Sequence, residues 1–195
     1  MTADAWDRCD DPRKLLEWVR RRGSDRRFRL FACAFWRWAE ANDGEPPPAA
    51  ARALQFAESW AESGVPPDGY PAGFPGWHPL LARTGFDAAS WSVRGSPACG
   101  RAWIGEAEQA QQLALIREVF GNPFRRLALA PAWQSETVLA LARGIYADRS
   151  FDRLPILADA LQDAGCADAD ALAHCRGPEP HVRGCWVVDM VLGKE

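Results

Sequence analysis

Residues that start and stop helices punctuate this chain from end to end, and between them apolar side chains recur every three or four positions. Asp11-Pro12 opens the first such segment: a carboxylate accepts orphan N–H groups, and proline at the first helical position gives up a donor that had no partner there. Leu15, Leu16, Trp18 and Val19 form its stripe and Gly23 ends it. Ser24 caps a helix expected over 25–41, whose Phe28, Leu30, Phe31, Ala34, Phe35 and Trp38 are too many for one exposed surface, so it belongs at the centre. Pro46-Pro47-Pro48 breaks the chain and starts a helix over 49–63, which Gly64 stops. Residues 64–76 hold four prolines and four glycines and can form neither helix nor central strand, so a long loop is expected there.

Short helical pieces follow near 79–83 and 87–92. Ser96-Pro97 opens a longer helix that runs to Phe120-Gly121, and Asn122-Pro123-Phe124 turns the chain. Ser135 caps a helix to Asp148, Asp152 the next, and Asp168 a short one to Cys175, with Gly165 and Gly177 as stops. The apolar run Trp186–Leu192 suits a helix or a buried strand equally. No other stretch alternates with period two, so the expected class is all-α: a single domain of about seven to nine helices. Its organisation divides into N-terminal helices (1–63), a Pro/Gly-rich stretch with short helices (64–96) and C-terminal helices (97–195).

With 195 residues, 48% of them hydrophobic and 25% charged, the chain can build one ordinary core and lies far from the disordered composition range. No apolar run is long enough to cross a bilayer, and Met1-Thr2-Ala3-Asp4 lacks the basic and apolar regions of a secretory signal, so a cytoplasmic location is expected without membrane partners.

The net charge of −3 argues against a general nucleic-acid coat. Residues 10–29 nevertheless carry eight basic groups against four acidic ones, a local +4 against −7 elsewhere. Arg20, Arg21, Arg22, Arg26 and Arg27 therefore make a corner that can meet an acidic partner or nucleic acid, although arginines at a helix end also simply complement its dipole. Of the ten tryptophans, Trp36, Trp77 and Trp91 are the least well explained by burial and are candidate anchors for another protein.

Six cysteines in an intracellular chain should be reduced thiols. Cys166, Cys175, His181 and Cys185 read Cys-x8-Cys-x5-His-x3-Cys, a set of soft and borderline donors that can fold around zinc. The spacing resembles that of zinc fingers that bind single-stranded RNA, with the last two ligand types exchanged. The aromatic residues that stack on bases in those fingers are absent from 167–184. The alternative is that these cysteines fill helix contacts. A cysteine-phosphatase loop needs an arginine six residues after the thiolate, where this chain has His181 after Cys175. Cys175 or Cys185 with His174 or His181 is the remaining nucleophile-base pairing, without an oxyanion-hole motif. Asp189, alone in an apolar run, needs a partner if buried, with Arg183, His181 and Lys194 as candidates. Asp159 and Asp163, four apart on one helix, are solvated carboxylates or a cation site. Phosphate-binding glycine loops, dinucleotide fingerprints, His-Glu-x-x-His and serine elbows are absent.

Asp11-Pro12, Ser24-Asp25-Arg26 with Leu30-Phe31-Ala32-Cys33-Ala34, Phe120-Gly121-Asn122-Pro123-Phe124-Arg125, Leu154 through Leu161, His174-Cys175-Arg176 and His181 through Asp189 together resemble a family of uncharacterised bacterial proteins. That family usually continues the second helix with paired cysteines, where this chain has Phe35 and Trp36. The resemblance implies one evolutionary unit and no mechanism. The expected function is a non-enzymatic helical interaction, adaptor or regulatory module without an obligatory cofactor. The alternatives are a zinc-stabilised nucleic-acid-binding protein and a small cysteine-dependent enzyme.

Overall fold

The computed structural model describes residues 1–43, 48–68, 79–94, 105–125, 127, 129–178 and 180–194. Among these residues there are ten α-helices and no strand, which is the all-α class that the punctuation predicts. The second part of the 64–76 loop, Trp77 and the 97–104 part of the expected long helix lie outside the described residues.

Most caps act as the sequence indicates, Asp152 excepted: the helix expected to start on it begins at Leu154 behind Arg153, without a side-chain cap. Asp11 accepts from the N–H groups of Arg13 and Lys14 at 3.0 and 3.3 Å and starts α2 (Pro12–Val19). Before it, α1 (Ala3–Asp7) was not anticipated; Thr2 caps it and its one buried residue, Trp6, is fully enclosed. The central helix is α3 (Asp25–Asp43). Every residue from Phe28 through Trp36 is buried, more than two full turns enclosed on all sides, because α4 (Pro48–Ser63), α5 (Gly85–Arg94) and α6 (Glu106–Phe120) all pack on it.

The close approach of α3 and α5 depends on Gly85. A Cβ there would stand 2.2 Å from the Asp25 carbonyl oxygen, and the Gly85 N–H instead donates to the Asp25 carboxylate. Arg29, only 1% exposed, completes this junction: its Nε donates to Asp25, and its two terminal nitrogens donate to the carbonyls of Ala82 and Arg83, each at 3.1 Å. Its guanidinium lies 3.4 Å from the Trp60 ring centroid. One member of the arginine-rich stretch is thus a core strut.

The C-terminal half holds α7 (Glu136–Asp148), α8 (Leu154–Asp163), α9 (Ala169–Arg176) and α10 (Trp186–Leu192) around a second apolar cluster that includes Val138, Ile145, Leu154, Leu157, Leu161 and Val188. Trp186–Leu192, which periodicity leaves undecided, is helix; it packs on α6, α7 and α9. Cys166 and Cys175 are buried in this cluster, and burial pushes the Cys175 thiol up to about 12.

Ion pairs join the two halves. Arg26 of α3 donates to both carboxylate oxygens of Asp189 on α10, at 2.6 and 3.1 Å, and to the Tyr146 hydroxyl of α7 at 2.7 Å. Glu62 of α4 closes the group, accepting from Tyr146 and from Lys194. Asp189 therefore takes Arg26, 163 residues away, rather than the nearby Arg183, His181 or Lys194 that the sequence offers. Burial pushes the Asp189 carboxyl upward, and the hydrogen bonds and charge of Arg26 offset this only in part. A second bridge places Glu58 between Arg37 of α3 and Arg149 at the end of α7; burial raises its carboxyl and these two arginines, outweighing it, hold it below the usual range.

Candidate metal centre

Four side chains from three parts of the chain converge where α6, α9 and α10 meet. Glu118 enters from α6, His174 from α9, His181 from the connection after α9, and Cys185 from the residue before α10. One potential ligand atom from each lies within 4.8 Å of the others. The Glu118 and Cys185 side chains are buried, with His174 and His181 at 12% and 9% side-chain exposure.

Local structure explains the convergence. Glu118 follows Leu115 by three positions, so it stands beside the buried stripe of Leu115, Ile116 and Val119. His174 sits in the last turn of α9, which Asp168 caps through the N–H of Ala171 at 2.8 Å. The chain then turns through Gly184, whose φ of +99° and close approach to Leu30, 3.1 Å from where a Cβ would stand, exclude any larger residue without strain. That turn delivers Cys185 to the centre.

Three of the donor–donor separations are close to the edge of a small tetrahedral cage. His174 Nε2 lies 3.0 Å from Glu118 Oε2 and 3.4 Å from Cys185 Sγ, and His181 Nδ1 lies 3.2 Å from Glu118 Oε2. A tetrahedron with bonds of about 2.0–2.3 Å has edges of roughly 3.3–3.8 Å, so the two contacts to Glu118 would lengthen by a few tenths of an ångström around an ion. Further contacts orient the donors. The backbone N–H of Val182 donates to Glu118 Oε1 at 3.1 Å, leaving Oε2 for the centre. His181 Nε2 stands 3.4 Å from the Gly177 carbonyl while Nδ1 faces the carboxylate, so both ring nitrogens are held in place. A proton on Nδ1 donates to Glu118, and a metal between the two atoms would take that proton's place. The rings of His174 and Trp186 lie 5.2 Å apart, which limits rotation of the imidazole. Burial raises the Glu118 carboxyl, but hydrogen bonds and charge from His174 and His181 outweigh it and bring the carboxyl down to about 2.

A cysteine-histidine-acid relay requires the acid on one imidazole nitrogen and the thiol on the other. Here His174 turns the same atom, Nε2, toward both Glu118 and Cys185, which is the disposition of a ligand set. Burial also pushes the Cys185 thiol upward, against thiolate formation by proton loss to solvent.

Of the sequence-derived ligand candidates, His181 and Cys185 take part in this group and Cys166 and Cys175 do not, although all three thiols are buried in the apolar cluster of the C-terminal half. Adjacent helical residues project about 100° apart, so α9 can present only one of His174 and Cys175 to the centre. It presents His174. Glu118 had a weak signal in the sequence: a carboxylate among Ile116, Val119 and Phe120 near the end of an apolar helix.

The other candidates are dispersed. Arg20, Arg21 and Arg22 are exposed on the α2–α3 turn, with Arg20 paired to Glu17 at 3.2 Å and Arg22 lying 3.8 Å from the Trp18 ring centroid. Arg26 belongs to the Asp189 pair and Arg27 is half-buried. Trp36 is buried beside Cys33, Leu54 and Leu80, and Trp91 is 36% exposed on α5. Asp159 pairs with Arg176 at 2.6 Å. Among the described residues no helix is long and apolar enough to cross a membrane.

Comparison with family models, with curated proteins and with solved structures gave no match. The His/Cys/Glu cluster, which can hold a metal ion, is what distinguishes this all-α fold.

Proposed function

We propose that this chain is a non-enzymatic helical interaction module whose C-terminal half is locked by one zinc ion on Glu118, His174, His181 and Cys185. The observation that carries the reading is the convergence of four donor atoms within 4.8 Å from α6, α9 and the connection between α9 and α10. Two imidazoles, a thiol and a carboxylate are the borderline donor set that zinc favours over calcium or magnesium. With four protein donors the tetrahedron is closed, and its burial leaves no open position for substrate or attacking water. A closed buried ion serves scaffold rather than catalysis. It would fasten α10, and through the Asp189–Arg26 pair the N-terminal half, to α6 and α9.

The test is zinc titration of protein first stripped of metal, read against a chromophoric chelator. The expected result is about one tightly held zinc per chain, lost in Cys185→Ala and in His174→Ala but retained in Cys166→Ala. No binding stronger than the chelator, or loss on removing Cys166, would refute the assignment.

A further inference from the structure

We infer that the groove between the end of α6 and α10, with its extension onto the exposed face of α2, docks an acidic segment of a partner protein that carries one bulky apolar side chain. This rests on the interaction reading and is independent of the metal. The groove has a volume of about 410 Å³, and its apolar wall is made by Phe120, Leu127, Trp186 and Met190. Such a space admits one large side chain with its flanking backbone. Around that wall stand Arg22, Arg27 and Arg125, with Asp170 as the one acidic residue among the described lining.

Arg22 is shared with a second, wider depression of about 810 Å³ whose described lining adds Lys14, Arg20 and Arg21 against Glu17. The two hollows share Arg22 and are together lined by six basic side chains and two acidic ones, with Asp7 and Asp11 paired to Arg125 and Lys14 beside them, a local excess of +2 on a chain of net charge −3. The cations differ in how far the fold already satisfies them. Arg125 meets Asp170 and Asp7 at 3.2 and 3.1 Å, and Arg22 donates to the Trp18 carbonyl at 2.9 Å. Arg27 has its Nε buried without a hydrogen-bond partner, and its charge already acts on Asp189. A carboxylate entering the groove would meet the arginines that line it, while the apolar wall takes the anchor. Charge alone would suit RNA equally. The apolar wall and the modest charge excess favour an acidic peptide with a single anchor.

The experiment is fluorescence anisotropy with three labelled probes: a short Asp/Glu peptide with one central Trp, the same peptide with Ser for Trp, and a short oligouridylate. At near-physiological salt the Trp peptide should bind at least about tenfold more tightly than either other probe. Arg22→Glu and Arg125→Ala should each weaken it by at least about fivefold, while Arg153→Glu, an exposed charge elsewhere on the surface, should leave it unchanged. Thermal melts confirm that the variants fold. Equal affinity for the Trp and Ser peptides, tighter binding of the RNA, or no binding at all overturns the proposal. Peptide binding that ignores Arg22 and Arg125 overturns the groove but leaves an interaction surface elsewhere. A chain that binds peptide yet takes no zinc discards the metal assignment alone.

Discussion

Arg26→Leu should destabilise the protein by about 3–5 kcal/mol, because it leaves the Asp189 carboxylate inside the fold without its counter-charge. The Asp189 side chain is 0% exposed and Arg26 supplies both of its side-chain hydrogen bonds. At this chain length the loss corresponds to a melting temperature lower by roughly 6–20 °C. The sign of the pH dependence is fixed by the same argument. In the variant Asp189 folds preferentially protonated, so its folded pKa rises further above the unfolded value of about 3.9 and the deficit grows as pH increases. The variant should therefore lie closer to wild type at about pH 4 than at about pH 7. Arg26→Leu with Asp189→Leu removes both charges and should recover most of the loss. A single-variant cost under about 1 kcal/mol, or a double variant no better than the single, would show that the pair is not the strut described.

Removing the metal should have an effect of similar size. An ion present at about a thousand times its dissociation constant contributes about 4 kcal/mol to the folded state, or roughly 8–16 °C in melting temperature for a chain of this length. A strong chelator should lower the wild-type melt by that amount and accelerate amide exchange in α9 and α10, with α2 and α3 less affected. His174→Ala should begin near the chelated wild type and respond no further. If chelator shifts His174→Ala and wild type alike, the ion binds elsewhere.

What could be read in advance follows the range of the interactions concerned. Helix limits depend on capping and turn residues a few positions away, and Asp11, Ser135 and Asp168 all cap as their spacing indicates. The short α1 was missed because five residues give too little periodicity, and its place is set by Trp6 burying against the N-terminal core. The undecided run 186–192 was settled by its neighbours, since a continuous apolar stretch is buried equally well in either conformation.

The candidate site was half legible for the same reason. His181 and Cys185 lie four residues apart and announce a possible ligand pair, but Glu118 joins them from 63 residues upstream. No local spacing encodes that. Cys175 was the natural choice beside His174 on ligand softness, yet the helix phase of α9 turns the thiol into the apolar cluster and the imidazole toward Glu118. The arginine-rich stretch shows the limit most clearly. Arg20, Arg22, Arg26 and Arg29 look alike in sequence and end respectively beside Glu17, over Trp18, on Asp189 and inside the core.

X-ray absorption at the zinc edge on the intact protein tests the central assignment most directly, because it counts the donor atoms. One sulfur at about 2.3 Å with three nitrogen or oxygen donors at about 2.0–2.2 Å is the shell that Glu118, His174, His181 and Cys185 predict. Three sulfurs around the ion, as Cys166, Cys175 and Cys185 together would give, or a shell with no sulfur, would contradict it.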